Sequence, residues 1–421
     1  MKIRQVAVLG AVAALALTAC SSEGSTTTPD PSATSGTGTA TGDAREITMW
    51  LAGEDTPEEL RTWLTDEFAT TTGATLNIET VEWGELLPRL QTSIGNPDQT
   101  PDVVEIGNTQ SPTFTTIGAF ADLTPHLPDL GGDKLGPEGF VEAGSVDGSV
   151  YAVPYYWGSR YVFYRTDVFE DAGIEVPTTL EEFNAAAKEL TTDDQSGFWL
   201  PGQDWRNGIS WVFAHGGDIA VQEGDQWVGK LSSPESVEAL TELQDLYQNA
   251  SKAPKDGEDA EPWTAFNNGD AAMFMAPGWA RWSISEDLAE NVGALALPGV
   301  EGGAAPVFAG GSNIAISAAS PDQDLALEAL KLIASDEYQT MLAENNLGPS
   351  NSDFTALMGD DQFAEASIAA ASNAKLTPAS AGWAGVETSR IMEEFFAKIA
   401  QGGDVATEAA AVDAALNDAL N

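Results

Sequence analysis

Between Glu46 and Thr116 the chain alternates regularly between two hydrophobic periods, and this limits its fold more than any other feature. Glu46 to Ala52 (EITMWLA) reads as a short buried strand. Thr56-Pro57-Glu58-Glu59 then has the residues of a capping box, and Leu60, Trp63, Leu64 and Phe68 recur at helical spacing behind it. Thr75 to Val81 returns to strand. Trp83 to Ile94 reads as a helix reset by Pro88. Pro101 to Ile106 is a third strand, and Ser111-Pro112 opens a third helix. Strand, helix, strand, helix, strand implies right-handed βαβ units around a mainly parallel sheet. Ligands of such sheets sit beyond the carboxyl ends of the strands. Attention therefore falls on Gly53-Glu54-Asp55 and on Gly107-Asn108-Thr109-Gln110.

Further along, Val150 to Tyr164 is densely apolar and aromatic. Helices are expected over Thr179–Leu190, Ser233–Ala250 with Ser233 as cap, and Pro262–Asn268. Gly293–Leu297 and Asn313–Ser317 read as strands. Ser320-Pro321-Asp322-Gln323 has the form of a second capping box. A helix over Val386–Gln401 stops at Gly402-Gly403, and an Ala-rich helix follows from Asp404.

The N-terminal segment is of another kind. Lys2 and Arg4 precede an apolar run, Val6 to Leu17, too short to span a bilayer as a helix. Leu17-Thr18-Ala19-Cys20 then resembles the bacterial lipobox, and Cys20 is the single cysteine of the chain. That resemblance implies a signal peptide at 1–19, cleavage before Cys20 and a lipid on its sulfur. Residues 20–43 carry almost no apolar side chain, so they are expected to form a flexible tether. The folded body is expected from residue 44, outside the cell and close to the membrane.

Composition closes other possibilities. The 421 residues include 65 Asp and Glu against 18 Lys and Arg, a formal charge of −47. Phosphate recognition needs clustered cations, so nucleic acid is not an expected partner. A basic docking surface for anionic lipid is excluded for the same reason, which leaves the lipid as the one membrane contact. One cysteine allows no intrachain disulfide. No cofactor and no metal site is expected, and a chain of this length suggests two lobes.

The ordered motifs Thr48–Glu54, Pro101–Glu105, Tyr151–Pro154 with Tyr164–Phe169, Phe266–Met273, Pro277-Gly278-Trp279 and Gly310–Asn313 together resemble the extracellular solute-binding proteins of bacterial ABC importers. The similarity lies with the carbohydrate-binding subgroup that includes maltodextrin-binding protein, and it covers the chain from Glu46 onward. It implies a two-lobed α/β fold of the type II periplasmic-binding-protein class, with mainly parallel sheets and a hinge of three crossings. The crossings are expected near Tyr155–Arg160, Ala309–Asn313 and Pro349–Ser352. Lobe one is then 44–155 plus 313–350, and lobe two 156–310 plus 352–421. The implied function is capture of a sugar or oligosaccharide between the lobes by a monomeric, lipid-anchored protein that hands it to a membrane permease.

Sugars offer flat CH faces and many hydroxyls, so indole plates and planar polar groups suit them. Trp279 and Trp383 match stacking tryptophans of the family pattern. Tyr156 and Trp157 lie at the first crossing, and Trp205 lies in a Gly- and Asp-containing loop. For Trp157 and Trp205 ligand contact and core packing stay equally open, whereas Trp50 and Trp63 follow core periodicity. Glu54, with Asp55 as its neighbour, falls where the pattern has an acid. Asn108 and Gln110 stand where it has charged groups, a departure that argues against maltodextrin itself. Asp204 matches an acid-supplying loop. Arg160 either binds ligand or ties the lobes, and Ser312 and Asn313 follow a Gly pair at the second crossing. The acid-rich stretch Lys255–Glu261 reads as a solvated loop. Two other classes fit less well: a secreted lipoprotein glycoside hydrolase, for which acid pairs alone are weak grounds, and a binding protein for a cationic solute such as a polyamine.

Overall fold

The computed structural model describes residues 45–96, 99–258 and 261–421. The signal segment, Cys20 and the tether lie outside the described residues. The two larger sheets of the body use nine strands: β1 (Glu46–Ala52), β2 (Thr75–Val81), β3 (Val103–Gly107), β4 (Ala152–Trp157), β5 (Arg160–Arg165), β6 (Met273–Pro277), β7 (Val292–Leu295), β8 (Gly311–Ile316) and β9 (Gly348–Pro349).

The larger sheet has the order β9-β4-β8-β3-β1-β2. β1 pairs parallel with β2 and with β3, as βαβ units require. β8 is antiparallel to both β3 and β4, so β1 to β4 share one direction and β8 opposes them. The cause is connectivity. β4 leaves for the second lobe at the cleft end of the sheet, and β8 returns from that lobe at the same end. The second sheet, β6-β5-β7, differs from the parallel expectation, since β5 is antiparallel to both neighbours. There too the chain enters at the crossing, and β6 comes back toward it.

Two large cores result, with smaller apolar clusters around Trp50 and around Trp157. One is built on Met49, Leu64, Phe68, Tyr155, Ile314 and Leu330. The other gathers Phe163, Trp205, Trp211, Phe274, Trp383 and Phe396. Burial of these side chains, about 1.5–3 kcal/mol each, drives the two lobes to form. The chain crosses at Gly158-Ser159 and again at Ala309-Gly310, and these crossings are tied by Gly158 N–H donating to the Gly310 carbonyl at 2.9 Å.

Neither expected capping box at Thr56 or Ser320 forms. The helix Glu58–Thr72 begins after Pro57 without a side-chain cap, because the Thr56 hydroxyl is buried against that of Tyr155 at 3.1 Å. Ser320 donates to Asp102 Oδ1 at 2.5 Å and accepts the Asp322 N–H at 3.1 Å, so its oxygen closes a local turn and does not cap the Gln323 N–H. The expected helix Val386–Gln401 is broken in two, Trp383–Thr388 and Ile391–Ala400, by Arg390 at φ 53°. Among the described residues no helix is long and apolar enough to cross a membrane.

Candidate functional site

A cleft of about 490 Å³ opens between the two lobes, within the size range of small-molecule sites. Its first wall stands on the carboxyl ends of β1 and β3. Trp83, at the start of the helix Trp83–Ser93, lies across Gly53 and Gly107; a Cβ on Gly53 would come within 2.9 Å of its ring. Glycine at both strand ends therefore lets an indole lie flat on the floor. Trp83 Nε1–H and the Tyr156 hydroxyl both donate to Asp55 Oδ2 at 3.1 Å. This leaves Oδ1 as an oriented acceptor. Burial raises the Asp55 carboxyl above its usual range, and these two donors oppose the rise.

Beneath the floor, Glu105 is fully enclosed. Ser312 Oγ donates to its Oε1 at 2.5 Å, and the Ala52 N–H donates to Oε2 at 2.9 Å. Burial pushes its carboxyl up to about 7 from an ordinary value near 4.5, more than those hydrogen bonds lower it. The folded chain therefore holds a proton that the unfolded chain has already lost between about pH 4.5 and 7. Stability from this group is present at low pH and falls as pH rises through that window. At about 1.4 kcal/mol per unit the loss is roughly 3 kcal/mol. Glu105→Gln is expected to flatten the stability curve between pH 5 and 7 relative to the parent, read by urea denaturation. An unchanged slope would refute the assignment.

The second wall comes from the other lobe. Trp279, in the turn after β6, is 39% exposed and meets Trp263 edge to face at 5.4 Å. Arg206 lies one residue into the helix Trp205–Ala214, its guanidinium 4.9 Å over the Trp205 ring. Arg160 is 7% exposed and donates to Asn207 Oδ1 at 3.1 Å. Glu387, on the helix Trp383–Thr388, reaches across the cleft. It accepts from Thr109 Oγ1 at 2.7 Å and from Gln110 Nε2 at 3.2 Å. Thr113 adds a third cross-lobe bond, to the Ala381 carbonyl at 2.9 Å.

Of the expected site residues, the fold brings Asp55, Asn108, Gln110, Tyr156, Arg160 and Trp279 to the cleft. It does not bring the others. Trp383 is fully buried, tilted against Trp205 at 6.0 Å, because its helix packs inward on the C-terminal helix. Trp205 is likewise enclosed, edge-on to Phe308 at 5.1 Å. Trp157 donates its Nε1–H to the Pro349 carbonyl at 2.9 Å and lines a second cavity, of about 310 Å³, which shares Asn108 with the cleft. Asp204 caps a helix, accepting from Asn207 N–H at 3.0 Å. Ser312 serves Glu105. Asn313 donates to the Phe140 carbonyl at 2.8 Å within the core. Glu54 faces solvent and pairs with Arg61 at 3.3 Å.

Sequence reasoning overlooked Trp83, Trp263, Arg206 and Glu387, all of which line the cleft. Trp83 carried a usable signal, since it follows the end of a strand. Trp263 borders the acid-rich loop that read as solvated. Glu387 carried none, because its partners lie far away in sequence.

Two α/β lobes, crossings tied side by side, and an aromatic cleft between them define a hinged binding protein of the type II periplasmic class. Residues 53–340 match the bacterial extracellular solute-binding proteins, and the chain belongs to that family. It is 33% identical over 354 residues to the diacetylchitobiose binding protein DasA of Streptomyces coelicolor, covering 81% of each chain. In fold it is similar to the GacH receptor of Streptomyces glaucescens, solved unliganded and with acarbose, with TM-score 0.77, 23% identity and coverage of 90% and 98% of the two chains. It is also similar to the sugar-binding protein MalE of Xanthomonas citri, with TM-score 0.77, 20% identity and 89% and 97% coverage. The family and these relatives are binding proteins, and the family is extracellular.

Proposed function

We propose that this chain captures a sugar or oligosaccharide between its lobes and delivers it unaltered to the permease of an ABC importer. The observation that carries this reading is the pairing of indole walls with an oriented carboxylate. Trp83 covers the floor, Trp279 and Trp263 stand on the facing lobe, and Asp55 Oδ1 is left to accept a hydroxyl. Apolar sugar faces stack on the rings while hydroxyls pair with the acid and amides. Lobe closure is favoured only by the ligand's higher affinity for the closed form. The names of the relatives, which refer to diacetylchitobiose and to sugar, support the same ligand class.

In this reading Cys20 carries the lipid, residues 20–43 are the tether, and a monomer works on the outer face of the membrane. The lobes are 44–155 with 313–350, and 156–310 with 352–421. The ligand contacts are Asp55, Asn108, Gln110, Tyr156, Arg160 and Trp279, joined by Trp83, Trp263 and Glu387. A screen of sugars by thermal shift is expected to raise the melting temperature without consuming the sugar. Release of reducing ends would overturn the reading in favour of a hydrolase, and no response to any sugar would overturn it outright.

A further inference from the structure

We propose that the cleft selects N-acylated amino sugars over their unsubstituted counterparts, with Arg206 and Gln110 as the two groups that read the acylamido substituent. The proposal rests on the sugar-binding reading above and specifies its ligand.

The first observation is a cation without a partner. In a chain with 65 acids, Arg45, Arg61, Arg89, Arg165, Arg281 and Arg390 each find a carboxylate. Arg206 forms no hydrogen bond or ion pair among the described residues. Its guanidinium is held over Trp205, which Phe308 and Trp383 enclose in turn, so the donor fork is set in the cleft wall. A half-buried guanidinium needs an acceptor. A carboxylate is the wrong one, because Asp55, Glu261 and Glu387 line the same cleft and Glu105 lies under it. A neutral carbonyl oxygen, with two lone pairs, suits the fork without adding charge.

The second observation is an acceptor without a donor. Gln110 Nε2 is directed at Glu387 Oε2 at 3.2 Å, which fixes the amide orientation. Its Oε1 is then left buried and without a hydrogen-bond partner among the described residues. An unmet acceptor of this kind costs free energy that a ligand N–H removes. An acylamido group supplies both complements, a carbonyl acceptor and an N–H donor. Gln110 belongs to one lobe and Arg206 to the other, so a disaccharide bearing two such groups engages both lobes and favours closure.

The test is calorimetric titration with N,N′-diacetylchitobiose and with cellobiose, which has the same linkage and lacks the acetamido groups. The parent protein is expected to prefer the acetylated disaccharide by about tenfold or more, and Arg206→Gln to lower that ratio by about tenfold. Gln110→Leu is expected to lower the ratio as well. Melting curves of both variants verify folding. Equal affinities in the parent, or a ratio unmoved in both folded variants, would overturn the proposal while leaving sugar binding intact. Failure of these and all other sugars to bind would overturn the sugar reading itself.

Discussion

Trp383→Ala is expected to lower the free energy of unfolding by about 3–5 kcal/mol, the usual cost of deleting a large buried aromatic side chain. The ring has no solvent exposure and packs against Trp205. Its helix lies close on the last helix of the chain, so close that a Cβ on Gly382 would fall 2.1 Å from the Ala419 carbonyl oxygen. Such a site has little freedom to collapse into the void. Trp383 Nε1–H also donates to Glu387 Oε1 at 3.3 Å, so its loss loosens the carboxylate that spans the cleft. Urea denaturation measures the effect. A loss below about 1 kcal/mol, together with a weakened ligand affinity, would mean that the ring touches ligand after all.

Trp279→Ala is expected to act chiefly on binding. It should weaken sugar binding by more than about tenfold, or 1.4 kcal/mol, and lower the melting temperature less than Trp383→Ala does. The indole is 39% exposed, so truncation removes less buried area than at the fully enclosed Trp383. What it removes is a stacking plate on the lobe that must close over the ligand, and the edge-to-face corner made with Trp263. Calorimetric titration alongside a thermal melt separates the two effects. Unchanged affinity would reject this wall of the cleft. The pair of variants thus contrasts two tryptophans that the family pattern treats alike, one acting on stability and the other on affinity.

Much of the architecture is legible in the sequence because it is local. The periods of Glu46–Ala52, Glu58–Thr72 and Thr75–Val81 depend on residues a few positions apart. The parallel pairing of β1 with β2 and β3 follows from the lengths of the connections. The rule that ligands gather at strand ends led to the loops of Asp55 and Asn108–Gln110, which line the cleft. Reading failed where a side chain had two plausible destinations. Thr56 and Ser320 have the right spacing to cap helices, yet each found a distant partner.

The amino-acid order sufficed to establish the parallel unit of β1, β2 and β3 and the loops that face the gap, since short-range periodicity and connection length dictate where the backbone runs there, while the two lobes were implied by resemblance to the solute-binding family. Which tryptophan is wall and which is core, which arginine is left unpaired, and which acid bridges the lobes emerged only once the chain was folded. The reason is that exposure and pairing are set by neighbours far apart in sequence: Glu387 meets Thr109 across 278 positions, and no local pattern encodes that meeting.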